Sequence, residues 1–355
     1  MSARIPTNKR TAVLNDGNQI PLIGLGTYLS RPNEVQDAVL AGWRCGMRHF
    51  DCAQFYQNEK EIGSALEILR REEPSFKRED LFITSKAWNS HHQPENLKKA
   101  LDQTLEDLGT HYLDLYLIHW PVNFAAVSDV KSETGVKLEP SEEGVMLLDR
   151  ELSLTTTWQA MLEVQKVGKV KSIGVSNFSP THIQKLIDET GIVPAVNQVE
   201  AHPLLIQQEL LDYCTSKGIH VTAYMPFGGD ATRGGAKVLG NPVVDTIARK
   251  FGKDAGQVLG SWGIKACISW FQHKDIFLTR HQRGFSVLPK SVKPSRIESN
   301  FQVFDIDNES YETLTALGRK ESARFGGLPF TFDPAWNVNV FGTPQERKAG
   351  LLEPF

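Results

Sequence analysis

Asp51 and Tyr56 share one short stretch, "HFDCAQFYQNEKEIG" (residues 49–63), where an apolar run ends and a helix begins. Lys86 closes "LFITSKA" and His119 closes "LDLYLIHW", two further apolar runs. Asp, Tyr, Lys and His without an apparent Ser or Cys nucleophile point to proton transfer. A free tyrosine titrates near a pKa of about 10 and a free lysine near about 10.4, so the phenol must be shifted down to exchange protons near neutrality. A neighbouring ammonium favours the phenolate; a shift of three units corresponds to about 4 kcal/mol. Lys86 would supply that cation, Asp51 would keep it charged and aimed, and His119 would hydrogen-bond a carbonyl oxygen. The set suits carbonyl reduction, with Tyr56 protonating oxygen as hydride reaches carbon. Each residue also has a plainer reading. A lysine at a strand end is commonly solvated, an aspartate before a helix is often an N-cap, a lone histidine is commonly a hydrogen-bonded core residue, and Tyr56 also reads as a packing residue. Asn58 with Glu61 makes the better capping box, which frees Asp51 for chemistry.

These residues need a scaffold that delivers strand ends to one place. Eight β-rich runs occur at 22–27, 47–53, 81–87, 113–120, 170–177, 194–200, 220–226 and 285–291, with helical patterns between them. "NEVQDAVLAGWRCG" places Val35, Ala38 and Val39 on one face and stops at Gly46, a fitting C-cap. Leu97, Leu101, Leu105 and Leu108 repeat the pattern. Strand and helix alternating eight times predict parallel strands with right-handed crossovers closing into a (β/α)8 TIM barrel, a single domain over 1–355. Ahead of it, "AVLNDGNQIPL" reads as a β-hairpin turning at Asp16-Gly17. The long irregular stretch 121–153 would lie on the C-terminal face, where barrels carry their catalytic residues.

Hydride requires a cofactor, yet no GxGxxG follows the first strand, so the dinucleotide-binding loop of a Rossmann fold is not expected. The alternative is a barrel phosphate site near strands seven and eight. "LPKSVKPSRIESN" supplies Lys290, Lys293 and Arg296 around a helix start placed at Ser295; helix N-termini and arginine suit phosphate. The Gly-rich "FGGDATRGG" is a loop able to fold over a pyrophosphate. A net charge of −3 gives no case for nucleic acid or an acidic membrane surface. No run reaches the roughly 18 apolar residues of a membrane span, and the N-terminus lacks a signal-peptide pattern. Cys45, Cys52, Cys214 and Cys267 show no zinc spacing; reduced thiols in a cytoplasmic enzyme without a metal are expected.

Seven motifs in order, "MRHFDCAQFYQNEKEIGSAL", "LFITSKAWNSHH", "LDLYLIHWP", "IGVSNF", "VNQVEAHP", "VTAYMP" and "LPKSVKPSRIESN", resemble the aldo-keto reductase superfamily over most of the chain. Within it the sequence looks most like fungal NADP-dependent aldehyde reductase and glycerol dehydrogenase types. The resemblance implies Tyr56 as general acid, Lys86 and Asp51 as its tuning pair and His119 as carbonyl orienter. It implies that Ser176, Asn177 and Gln198 bind the nicotinamide amide, that Tyr224 stacks on the ring, and that Thr27 approaches the cofactor. It further implies that Lys290, Ser291, Arg296 and Asn300 hold the 2′-phosphate end, favouring NADPH over NADH. Tyr28, Trp88, Trp120 and Phe124 would line a cavity for a small carbonyl substrate, an aldehyde such as glyceraldehyde or an aldose, with Trp336 of the tail capping it. A monomer is expected on the same ground.

The sequence departs from the family at Met225, where Ser is usual, at Ser299, where Glu is frequent, and at an insertion of about 265–281 between Trp262 and Gln282. That stretch is apolar, with no Pro, and follows no single period; its composition and abrupt edges point to translated intron sequence or a gene-model error, and a true insertion would emerge away from the chemistry. Three other readings stay open. The chain could be a cofactor-binding regulatory barrel like a potassium-channel β-subunit, an isoform inactivated by the insertion, or a Schiff-base aldolase using Lys86.

Overall fold

Each of the eight expected β-rich runs contains a strand, and four of these strands end on Asp51, Ser176, Glu200 and Tyr224. The computed structural model describes residues 7–125, 141–230, 232, 235–265 and 284–353. Strands β1 (Thr11–Val13) and β2 (Gln19–Pro21) pair antiparallel. The principal strands are β3 (Leu25–Gly26), β4 (His49–Asp51), β5 (Phe82–Ala87) and β6 (Leu113–Ile118). After a small antiparallel ribbon, β7 (Ser141–Glu142) and β8 (Val145–Met146), come β9 (Val170–Ser176), β10 (Val196–Glu200), β11 (His220–Tyr224) and β12 (Ser286–Leu288). The eight principal strands form one sheet in the order β12-β11-β10-β9-β6-β5-β4-β3. Parallel bridges Ile23–Val287 and Gly26–Lys290 join the two ends of that order. The fold is a (β/α)8 barrel.

The helices are α1 (Glu34–Cys45), α2 (Glu59–Glu72), α3 (Pro94–Leu108), α4 (Leu154–Lys166), α5 (Pro180–Thr190) and α6 (Gln208–Lys217). They continue with α7 (Gly235–Leu239), α8 (Pro242–Phe251), α9 (Ala255–Lys265), α10 (Pro294–Phe301), α11 (Asn308–Lys320) and α12 (Pro344–Lys348). Val35, Ala38 and Val39 are buried on α1, which stops at Gly46 with φ 100°. That left-handed conformation is open to glycine at no steric cost. Leu97, Leu101, Leu105 and Leu108 form the buried face of α3. In the hairpin, Gly17 takes φ 90° and Asp16 Oδ1 accepts from Asn18 N at 3.1 Å, so the Asp-Gly turn is made as the sequence predicts.

The chain divides into two compact units. The first comprises Met1–Asp51, Asp80–Phe82 and Gln198–Gly326; the second comprises Cys52–Glu79, Ile83–Asn197 and Gly327–Phe355. In the first unit β11 pairs with β12, and Gly24 N donates to Val287 O at 3.0 Å. In the second unit β5 pairs with β6 and β6 with β9, so Lys86 lies in register with Leu117.

Two local expectations are corrected. Asn58 precedes α2 but makes no side-chain cap bond, so the expected box with Glu61 does not form. Glu59 instead turns inward, for reasons given below. The helix expected to start at Ser295 starts at Pro294, with Lys293 at the cap; proline suits that first position because its missing N–H has no intrahelical partner to lose.

The insertion at 265–281 lies outside the described residues except for Lys265, the last residue of α9. Lys265 Nζ donates to the Ile306 carbonyl. The backbone on its two sides meets, since a Cβ added at Gly284 would fall 1.9 Å from the Ile264 carbonyl oxygen. A short connection therefore suffices, and loop length itself costs little, about 0.6 kcal/mol per doubling. A variant lacking residues 266–281 is expected to unfold cooperatively with a Tm at or above that of the full chain. Thermal unfolding followed by circular dichroism checks this; a collapsed or absent transition would show that the segment is needed for the fold.

Candidate active site

In the second unit the predicted residues Tyr56 and His119 assemble around the buried side chain of Lys86. Lys86 is 1 % exposed, and its Nζ donates to the Cys52 carbonyl at 2.7 Å and to Tyr56 Oη at 3.2 Å. The same Nζ lies 4.9 Å from the Tyr56 ring centroid. A buried ammonium is costly unless hydrogen-bonded, and these bonds fix its direction. The local sequence explains the geometry. Cys52 follows the last residue of β4, and the turn Gln54–Tyr56 then returns the phenol over the end of β5.

His119 follows β6 and is 7 % exposed. Its ring stands edge-on to Tyr56 with centroids 6.0 Å apart. Burial first, then the charge of Lys86 and the neighbouring His92, holds its pKa well below the usual histidine value. His119 is therefore neutral near pH 7, with one ring N–H to donate. Asn177 Nδ2 donates to the His119 carbonyl at 3.0 Å and to Ser176 Oγ at 3.1 Å. Asn177 itself has φ 64°, a conformation in which asparagine is enriched among non-glycine residues.

Around this centre is an aromatic wall. Phe55 stacks on Trp88 at 3.9 Å, and Trp88 stands edge-on to His119 at 5.1 Å. Trp336 meets Trp88 at 5.9 Å, Phe124 at 4.8 Å and Trp120 at 5.3 Å. Edge-to-face pairs of this kind are favoured by the ring quadrupoles. Trp336 is brought here by paired backbone: Met146 N donates to Ala335 O and Ala335 N to Gly144 O, each at 2.8 Å. The tail and the loop after β6 thus meet beside the aromatic wall. Residues 126–140 of that loop are outside the described set.

Sequence reasoning missed Phe55, Phe332, Phe341 and Met146, all packed in this cluster. Phe55 was legible as the neighbour of Tyr56 on one turn. The others come from remote segments and carry no pattern that marks them.

The first unit carries the remaining predicted residues on its strands, on the turns after them and on α10. Asp51 is buried, and its Oδ1 accepts from Gln198 Nε2 at 2.8 Å. Thr27 Oγ1 donates to the Asp51 carbonyl at 2.8 Å. Tyr224 ends β11; burial, then the charge of Glu200, raises its pKa, so it remains a phenol. Lys290 Nζ donates to Leu29 O at 3.1 Å, its pKa lowered by partial burial. Ser291 Oγ accepts from Lys293 N at 3.1 Å, and Arg296 and Asn300 lie on α10. Tyr28 belongs to this unit.

Two further acids went unremarked in the sequence. Glu200 ends β10 and accepts from Phe325 N at 2.6 Å, Gly326 N at 2.9 Å and His202 Nε2 at 3.1 Å. Burial pulls its pKa up, but the bond from His202 and the charge of Arg324 outweigh burial and keep it low. Glu59, on α2, accepts from Ser85 Oγ at 2.6 Å and Thr104 Oγ1 at 2.9 Å. Burial pushes its carboxyl up to about 7 against those two bonds. "NEKE" offers four polar residues, and nothing in their local order marks Glu59 as the one that bonds Ser85 and Thr104.

The chain is thus a (β/α)8 barrel in which a buried lysine, a half-buried tyrosine and a neutral histidine lie close together. The comparisons agree. Residues 22–319 match the Aldo/keto reductase family, and the chain belongs to that family. It is 43 % identical over 342 residues, 96 % of each chain, to the D/L-glyceraldehyde reductase of Hypocrea jecorina. It is 38 % identical over 328 residues, 91 % of this chain and 96 % of the relative, to the glycerol 2-dehydrogenase (NADP(+)) of Saccharomyces cerevisiae. Among solved structures it resembles the aldose reductase of Giardia lamblia, with TM-score 0.78, 35 % identity and coverage of 90 % and 97 %. The aldose reductase of Schistosoma japonicum gives TM-score 0.75 at 39 % identity, covering 89 % and 93 %.

Glu59 carries a stability prediction. Its folded pKa of about 7 lies above its ordinary value of 4.5, so the folded state keeps a proton that the unfolded chain loses. Stability from this group is present below about pH 4.5 and is lost as pH rises to about 7, by about 3 kcal/mol in all. Glu59→Gln, which mimics the protonated acid, is expected to match wild type near the acid end and exceed it at pH 8 by up to that amount. Urea unfolding of both proteins across this range checks the sign; a constant difference would show that Glu59 does not titrate there.

Proposed function

We propose that this chain reduces small aldehydes to alcohols with NADPH, glyceraldehyde being the first substrate to try, as the names of its relatives suggest. The observation that carries the reading is the Tyr56 hydroxyl held 3.2 Å from the Lys86 ammonium. When bound, NADPH supplies the hydride. Tyr56 donates the proton to the carbonyl oxygen, and the Lys86 ammonium stabilises the phenolate left behind. Asp51, buried at the end of β4, is assigned to this set by the sequence motif it shares with Tyr56. His119, neutral, donates its ring N–H to the same oxygen and orients it. Trp88, Trp120, Phe124 and Trp336 exclude water and present apolar surface, which suits a compact neutral substrate better than a highly charged one.

The residues fit the cofactor. Helix α10 has no acidic side chain in its first turn, while Lys290, Lys293 and Arg296 gather about its start. This is a positive helix pole reinforced by cations, the chemistry that phosphate requires. Arg296 and Lys290 would hold the 2′-phosphate with Ser291 and Asn300. Ser176, Asn177 and Gln198 would take the nicotinamide amide, Tyr224 the face of its ring, and Thr27 a neighbouring edge. A cytoplasmic monomer without nucleic-acid or membrane partners completes the reading; no helix among the described residues is long and apolar enough to cross a membrane.

Purified protein is expected to oxidise NADPH when glyceraldehyde is added. Tyr56→Phe should lower kcat at least about 100-fold, the contribution typical of a general acid, while NADPH binding measured by fluorescence persists. A wild-type protein that binds NADPH and turns over no aldehyde would favour a regulatory barrel. Separately, Arg296→Ala should cut the preference for NADPH over NADH by about tenfold, equivalent to about 1.4 kcal/mol. Comparing kcat/KM for the two cofactors reads this directly, and an unchanged ratio would remove Arg296 from the 2′-phosphate site.

A further inference from the structure

Glu59 is a buried acid that touches none of the reacting atoms, and its cost calls for an explanation. Burial, with a smaller contribution from the charge of Asp107, raises its pKa to about 7, and an apolar side chain of similar size is often more stabilising at such a position. Its bonds run to two elements. Ser85 Oγ, on β5, donates to Oε1 at 2.6 Å, and Thr104 Oγ1, on α3, donates to Oε2 at 2.9 Å.

The sequence positions of these partners matter. Ser85 is the residue before Lys86, and Glu59 is the third residue after Tyr56. Neighbouring residues of a strand face opposite sides, so Ser85 points away from the side to which Lys86 projects. On the other flank of the same turn, Cys52 O accepts from Lys86 Nζ at 2.7 Å. The Tyr56 turn is thus tied to β5 on both sides, by Cys52 to Lys86 and by Glu59 to Ser85. Its helix is pinned a third time. A Cβ at Gly63 would fall 2.1 Å from the Asp107 carbonyl oxygen, so α2 and α3 are in close backbone contact there.

The geometry points to Glu59 as a positioning residue that sets the approach of the Tyr56 hydroxyl to the Lys86 ammonium, by tying α2 to the strand residue before Lys86. The contact it governs is the 3.2 Å bond between those two groups. Small displacements there matter, since a misplacement of about 1 Å can cost on the order of 100-fold in rate. The charged and titratable groups that act on Glu59 are Lys86 on β5, Asp107 on α3 and Tyr116 on β6. The kinetic part of this inference rests on the reductase reading; the positional part does not.

The test uses the full chain with Glu59→Ala, Glu59→Gln, Ser85→Ala and the Glu59→Ala/Ser85→Ala double variant. Glu59→Ala is expected to lower kcat for glyceraldehyde about tenfold, with KM and NADPH affinity within about twofold, because only the proton-donating pair moves. Glu59→Gln, which still bridges Ser85 and Thr104, should recover most of that loss. Ser85→Ala should shift kcat in the same direction, and the double variant should be little worse than the poorer single, since both cut one link.

A second readout needs no turnover. The tyrosinate absorbance of Tyr56, taken as the difference between each protein and its Tyr56→Phe counterpart, should titrate about half a pH unit or more higher in Glu59→Ala, as the ammonium moves away. The inference is overturned by a folded Glu59→Ala protein with wild-type kcat and an unmoved titration, or by effects of the two single variants that simply add. If Glu59→Ala does not fold, Ser85→Ala decides, and wild-type kcat with an unmoved titration there overturns it. If the wild-type chain reduces no carbonyl, the functional reading fails while the titration still decides the positional one.

Discussion

A single buried ammonium organises the second unit. Lys86 is sealed from water, so it must be satisfied by groups the fold brings to it, the Cys52 carbonyl and the Tyr56 hydroxyl. Those two acceptors lie on either end of one short turn, and that turn must therefore be held firmly against β5. Much of the surrounding structure serves this requirement: the six-residue β5 buried along its whole length, the close contact of α2 with α3 at Gly63, and the Glu59 bonds to Ser85 and Thr104. The buried charge also acts outward. It helps keep His119 neutral, which leaves that imidazole suited to donating a hydrogen bond.

The aromatic wall solves a different problem. A proton donor that must meet a carbonyl needs water excluded, and the loops of a barrel are the only parts free to do this without disturbing the strands. Here the work is divided between residues near the strand ends, Phe55, Trp88, Trp120 and Phe124, and the tail residues Phe332, Trp336 and Phe341. The ribbon of β7 and β8 binds the tail by backbone pairing at Val145 and Ala335. Backbone pairing is indifferent to side chains, so the pairing itself does not constrain which residue stands at Trp336 in the aromatic cluster.

In the first unit, polar side chains at strand ends are held by local bonds of the same kind. Gln198 meets Asp51, Thr27 meets the Asp51 carbonyl, and Glu200 gathers Phe325, Gly326 and His202. Glu200 is held below the ordinary carboxylate range because the bonds and charges of its partners outweigh burial, whereas Glu59, with two neutral hydroxyls, is raised to about 7. Two buried glutamates thus differ in pKa through the number and charge of their partners, a contrast no composition could show.

Much of this protein is legible in its sequence by local physics. Short β-rich runs mark all eight strands, because the strands of a barrel are buried on both faces. Gly46 and Asp16-Gly17 mark their turns, because few other residues adopt those backbone angles freely. The strand-end residues Asp51, Lys86, His119, Ser176, Gln198 and Tyr224 stand out, because polar groups interrupting apolar runs need a purpose. What lay beyond the sequence are relations between segments remote along the chain. The capping box of Asn58 and Glu61 was locally sensible and does not form, since packing on α3 turned Glu59 inward instead. Phe332, Phe341 and Met146 join the aromatic cluster only because a tail and a loop happen to pair. Local backbone preferences act within a few residues and can be read from their order, whereas burial and partner choice depend on which distant groups fill the same space, and only the folded chain decides that.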